Sequence, residues 1–451
     1  MDRKQLLGGV TMLSLSTLFL RGVGMVYRVV LSERIGAEGM GLYQLIMTVY
    51  LLFSMLSSAG LTITVSRLCA ERPEAQRSVV GKACGLALAM GLGLCAVLYA
   101  GAEGIARHLL ADERAADALR WIAPSMPMMG ISATLKGFFL ARGDVLRPTI
   151  AQISEQLARV GLVLTLLFRF DVTGLSSSCS VIFFGATAAE IVSMAMLGAF
   201  YLRAGVRTAE ALPGGFLLRG CGPIWLGSLM QCGMQTAENL LIPTLLKASG
   251  ASSAHALSQY GMLGGMVMPF LMFPAAFPAA LGTLLLPEIA RENEAGHMGR
   301  VRRLTRRTLS ATLWLSAGFC GVFLVGAQPL MKALYDSEAA GGMLRLLAPL
   351  MPLLYLDNIA DALLKGLGRQ GKTMIVETVD SVLRIAGILV LLPKMGMMGY
   401  VLVLYASGIV CAAARLGMLF AAAELPRGAL SGLFWPRFGV KNSPHRKDFA
   451  S

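Results

Sequence analysis

Twelve apolar runs, each about as long as a bilayer is thick, follow one another along this chain with only short polar breaks between them. A membrane-crossing helix needs about 20 predominantly apolar residues. Runs of that size fall near 5–31, 42–65, 79–101, 118–140, 149–169, 178–202, 217–245, 257–285, 309–327, 342–365, 374–393 and 398–422. Charged residues make up only 15% of the 451, against about 25% in soluble domains, and the mean hydropathy is +0.65. Such a chain is expected to be an all-α polytopic membrane protein of about twelve spans. The first run follows a basic start, as a signal peptide would. It continues through Arg21 to Leu31 without a small-residue cleavage pattern and reads as an uncleaved span.

Basic residues set the orientation. With the N-terminus in the cytoplasm, 26 Lys and Arg lie in inside loops and ends and 9 in outside loops, the bias expected when cytoplasmic loops retain positive charge. Both termini are then cytoplasmic in a multi-pass protein of the cell membrane, and residues 426–451 form a basic cytoplasmic tail. The formal charge of +14 is dispersed over short loops rather than gathered on one face, which excludes nucleic acid as a partner. The longest polar break, 291–309, is read as a basic loop resting on anionic lipid head groups. No C-x-x-C pair or His cluster has metal-ligand spacing. No phosphate-loop, dinucleotide or hydrolase signature appears either. Neither enzyme activity nor a bound cofactor is expected. Energy would come from Na+, H+, the membrane potential or the substrate's own gradient.

A phrase occurs twice. "LRWIAPSMP" (119–127) returns as "LRLLAPLMP" (344–352), and Arg120 and Arg345 are 225 positions apart. Glu155 and Arg159 return as Asp380 and Arg384 at the same spacing. Lys136-Gly137 finds a match in Lys365-Gly366 only with a slip of four residues. Six spans separate the copies, so the halves 1–210 and 211–425 enter the membrane the same way round. Parallel repeats of this kind suit a transporter with its site between two lobes. The Pro phrase itself reads as a hinge or packing element at the end of a span.

Charges inside spans face a cavity or a partner by default. Arg21 and Arg28, seven residues apart in the first run, share one helical face. Their guanidinium forks match phosphate or pyrophosphate oxygens; the alternative is a structural pairing with Glu155 or Glu190. Glu155–Arg159 and Asp380–Arg384 can neutralise each other along one helix. Asp357, Asp361 and Lys365 form a stripe beside Asn358, and Glu238 with Asn239 places an acid in the seventh run. These are the candidate cavity or coupling groups.

Three stretches carry a resemblance: "RGVGMVYRVVLSERIGAEGMGLYQ" (21–44), the region 119–159, and "LIPTLLKASG…LLLPEIA" (241–290). They resemble the stage V sporulation protein B group of the multidrug/oligosaccharidyl-lipid/polysaccharide exporter superfamily, which is related to the lipid II flippases. The resemblance implies two six-helix lobes around a central cavity and the flipping of a lipid-linked glycan or peptidoglycan precursor, in spore cortex or envelope synthesis. It also implies membrane lipids and envelope-synthesis proteins as partners. In the lipid II flippases first-span arginines bear on the pyrophosphate, and that role carries to Arg21, Arg28 and, more weakly, Arg34. Spans 2 and 8 here lack the further cavity arginines of those flippases. The expected function is therefore outward flipping of an undecaprenyl-pyrophosphate-linked glycan by alternating access. A cation-coupled multidrug antiporter using Glu238, Asp357 and Asp361 is the alternative, and a non-transporting membrane scaffold the third.

Overall fold

A computed structural model describes residues 3–58, 60–170, 174–205 and 215–424, and leaves the side chains of 3–14, 215–224 and 283–284 undescribed. The expected junction at 210 and the expected tail at 426–451 lie outside the described residues. Among those residues the secondary structure is helical, without a strand. This is what a chain must adopt where hydrocarbon cannot satisfy free backbone groups.

The first half begins with α1 (Arg3–Ser58), two helices that meet at Gly36, where φ is 67° and ψ −177°. A side chain would be strained in that conformation. There follow α2 (Leu61–Glu71), α3 (Gln76–Ala100), α4 (Ala102–Gly104), α5 (Ala116–Ile122), α6 (Ser125–Ala141), α7 (Leu146–Arg169) and α8 (Leu175–Arg203). The second half holds α9 (Gly215–Ala248), α10 (Ser253–Gly261), a wide π-helical turn (Met262–Val267), α11 (Met268–Met272), α12 (Ala276–Glu294) and α13 (Met298–Tyr335). It ends with α14 (Glu338–Leu347), α15 (Met351–Gly366), α16 (Gln370–Met395) and α17 (Met397–Ala422).

Among the described residues, seven helical stretches are long and apolar enough to cross a membrane, and Ser253–Met272 with Ala276–Glu294, bent by 53°, makes an eighth. Four runs separate this count from twelve; one, 217–245 on α9, is only partly described, and the other three have physical reasons. Leu15–Glu71 is one stretch containing two runs. The run at α16 carries Lys372, Glu377, Asp380, Arg384 and Lys394. The run at α5–α6 is broken where Pro124, lacking an N–H, interrupts the helical ladder.

The repeated phrase is that break. In the first copy α5 stops at Ile122 and α6 starts at Ser125. In the second, α14 passes through a 3-10 turn (Ala348–Leu350) into α15. Ser125 Oγ donates to the Ile122 carbonyl at 2.6 Å, and Ser57 Oγ of α1 donates to the Met126 carbonyl at 2.6 Å. Carbonyls at the break are thereby satisfied within the bundle.

The backbone follows the repeat further than the side chains do. Ala111 and Asp336, 225 apart, both have positive φ, 52° and 47°. The next residues, Asp112 and Ser337, both cap the following helix through a side-chain oxygen. Gly143 and Gly368 both sit at φ 71°. The helices between correspond with no slip, so Lys136 is matched by Asp361 rather than by Lys365.

Where the halves meet, α1 and α10 touch backbone to backbone. A Cβ on Gly41 would collide with the Leu257 carbonyl, and one on Gly261 with the Ala37 carbonyl. Beside this contact Gln44 Nε2 donates to the Gly264 carbonyl in the π turn at 2.8 Å. The surrounding core, with Leu31, Met40, Leu257, Met266 and Tyr355 fully or nearly fully buried, draws on both halves.

Candidate functional site

A cavity of about 710 Å³ lies between the halves, within the range of small-molecule sites. One wall is the first arm of α1, which presents Arg21, Gly24, Met25 and Arg28. The spacing i, i+3, i+4, i+7 places all four on one helical face. The other walls come from α11 and α12, with Met272, Ala279, Gly282 and Leu286, and from α15, with Asn358, Asp361 and Lys365.

Arg21 is exposed and donates to the Met272 carbonyl at 3.3 Å. Arg28 is half-buried and, among the described residues, makes no ion pair. The acids opposite are already engaged. Lys365 Nζ lies 2.6 Å from Asp361 Oδ2. Arg415 of α17, with its side chain 9% exposed, bonds Asp357 and reaches within 4.0 Å of Asp361. The ionisable lining of Arg21, Arg28, Asp361 and Lys365 is thus cationic on balance, and the two α1 arginines remain available to an anion.

Five of the residues singled out in the sequence, Arg21, Arg28, Asn358, Asp361 and Lys365, meet in this cavity. The others stand elsewhere. Arg34 donates to the Leu167 carbonyl at 3.5 Å and lies over the Phe168 ring, against the end of α7. Glu155 and Arg159 pair at 2.7 Å inside the first half, near the buried Glu190. Glu238 is buried on α9 and pairs with Arg384, which also pairs with Asp380, both at 3.3 Å. Ser407 Oγ donates to Asp380. Asn239 is half-buried on α9 and does not line the cavity. Asp357 faces Arg415 rather than the cavity.

Arg415 was not foreseen. Its signal was a lone arginine in the last apolar run, which by itself calls for a buried partner. At the Gly36 end, Arg114 bonds Glu38 of α1 at 2.8 Å and Asp112 at 2.7 Å. Hydrogen bonding to Asp112 raises the guanidinium pKa above its ordinary value.

Helical halves built on one repeat around a cavity are the architecture of a membrane transporter. Residues 6–220 match the family described as polysaccharide biosynthesis protein, and residues 223–390 match the MatE family. The first half of the chain thus matches the polysaccharide biosynthesis model and most of the second half the MatE model, both of the multidrug/oligosaccharidyl-lipid/polysaccharide exporter superfamily. It is similar to the stage V sporulation protein B of Bacillus subtilis (strain 168), 25% identical over 422 residues, covering 88% of this chain and 80% of that one. It is also similar to the lipid II flippase MurJ of the same organism, 22% identical over 404 residues, covering 81% and 73%. Among solved structures, an inward-facing multidrug resistance MATE family transporter of the MOP superfamily shares the fold. Its TM-score is 0.74 and its identity 14%, over 92% of this chain and 99% of that one.

Proposed function

We propose that this chain is a flippase that moves an undecaprenyl-pyrophosphate-linked glycan across the cell membrane by alternating access, with both termini in the cytoplasm. One observation carries this: the Arg21–Arg28 face of α1 lines the cavity without a carboxylate partner among the described residues. Paired guanidinium forks suit a diphosphate. Asn358 opposite offers a neutral donor and acceptor to sugar hydroxyls. The backbone contact at Gly41 and Gly261 closes the Gly36 side, so the cavity opens towards the side given to the cytoplasm by the basic loops. Resetting is assigned to the membrane potential or the substrate gradient. Na+ or H+ at Glu238 or Asp357 would first have to displace a bonded arginine.

The MatE match over 223–390 favours a second reading, a cation-coupled multidrug antiporter. A cationic cavity is poorly suited to a cationic drug. The test is rescue of a strain depleted of its lipid II flippase, run beside cationic-dye efflux. The unaltered protein should rescue, while Arg21→Ala and Arg28→Ala should each lower flipping about 10- to 100-fold, the worth of a charge-assisted hydrogen bond, at unchanged membrane abundance. Robust efflux without rescue would replace the flippase with the antiporter. Full rescue by both variants would remove the two arginines from the substrate site, and neither rescue nor efflux would leave only a scaffold.

A further inference from the structure

The stretch of α1 that lines the cavity has a second, unlike face. Gly22, Val23, Val26 and Val30 turn the other way and, with Val160 and Leu164 of α7, line a hollow of about 420 Å³. Tyr27 adds its ring, while its hydroxyl is buried away from the surface. The hollow opens outward from the bundle, since Val26 is 62% exposed at its rim. A side chain at Gly22 would meet no atom within 4 Å. With no polar group to hold water, its filling is hydrocarbon. Arg21–Arg28 and Gly22–Val30 occupy the same turns, so one helix presents cations to one side and a greasy cleft to the other.

We propose that this cleft seats the head-proximal isoprenoid units of the tail belonging to the molecule whose diphosphate meets Arg21 and Arg28, the tail passing round α1. This rests on the diphosphate reading of the cavity. An anionic head with an apolar tail matches the two faces in sign and polarity, and a polyprenyl chain is long enough to pass a helix about 10–12 Å across. The α7 wall keeps the tail in the bilayer while the head is enclosed.

The full chain in proteoliposomes tests this with two substitutions that fill the cleft, Val26→Trp and Gly22→Leu. Both point into open space, which spares the fold. Flipping of a long-tailed diphosphate-linked glycan should fall about tenfold, as expected for losing roughly 1.4 kcal/mol of tail contact. Binding of the tail-less glycan diphosphate should stay within about twofold. Arg28→Gln should weaken both. Unchanged flipping in both cleft variants would overturn the tail site. So would a photoreactive residue at position 26 that labels phospholipid as readily as polyprenyl diphosphate, which would assign the cleft to bulk lipid. If Arg28→Gln leaves tail-less binding intact, it is the diphosphate reading that fails.

Discussion

In the first half, Lys136 of α6 stands within electrostatic reach of Glu190 of α8. In the second, 225 positions on, Asp361 of α15 stands 4.0 Å from Arg415 of α17. The cation and the anion have exchanged helices, and Ser132 in the first half is matched by Asp357, the closer partner of Arg415. Over the same interval the backbone keeps its left-handed residues and its caps in place. Backbone geometry is fixed by the bend each loop must make, so both copies need the same local devices. Opposite charges facing each other are indifferent to which helix bears which sign, provided both invert together. Between Ala111 and Gly143, and between Asp336 and Gly368, the repeat is therefore strict in its dihedral angles and free in its polarity.

Breaking the inverted pair should have the largest effect. Arg415→Ala leaves Asp357 buried without its cation and should cost about 3–5 kcal/mol, read as thermal unfolding in detergent. A loss below about 1 kcal/mol would show that water reaches the pair.

Restoring the first half's polarity should recover much of this. Arg415→Glu alone sets two acids together. Combined with Asp357→Ser and Asp361→Lys, it recreates the arrangement of Ser132, Lys136 and Glu190 and should regain more than half of the lost stability, since contacting charges couple strongly. A triple variant less stable than Arg415→Glu would end the idea of interchangeable polarity.

The backbone half of the comparison predicts equal and smaller costs. Gly143→Ala and Gly368→Ala place a side chain at the same φ of 71° and should each destabilise by about 1 kcal/mol. A threefold disparity would show that the two turns are not equivalent. Smallest of all, Arg120→Gln and Arg345→Gln should leave the melting temperature within about one degree. Arg345 is exposed and Arg120 half-exposed, and the bonds of Arg120 to the exposed Glu103 and Asp117 are surface pairs.

Much of this was legible in the residues. The apolar runs gave the helices, the Pro phrase gave the repeat and the breaks, and the seven-residue spacing put Arg21 and Arg28 on the cavity face. The misalignment of Lys136 with Lys365 arose because identity was matched where dihedral angles decide, and Gly143 against Gly368 corrects it. Asp361 lines the cavity as expected from its stripe, but Glu238 and Asp357 do not, because helical spacing gives a face and not the neighbour across it. Arg384 and Arg415 reach them from α16 and α17, a meeting that only tertiary packing creates. The 53° bend before α12 likewise depends on how Phe273–Ala275 turn in space, not on any run of apolar residues.

The kink at Gly36 makes α1 a lever with a single joint. On one side of it lie Arg21 and Arg28; on the other lies the stretch 37–41 that seals against α10. Arg21 is 15 residues from the joint, about 22 Å at helical rise, so a swing of ten degrees there carries its guanidinium through an arc of about 4 Å. A pull on the arginines is therefore delivered, as torque, to the joint beside the seal.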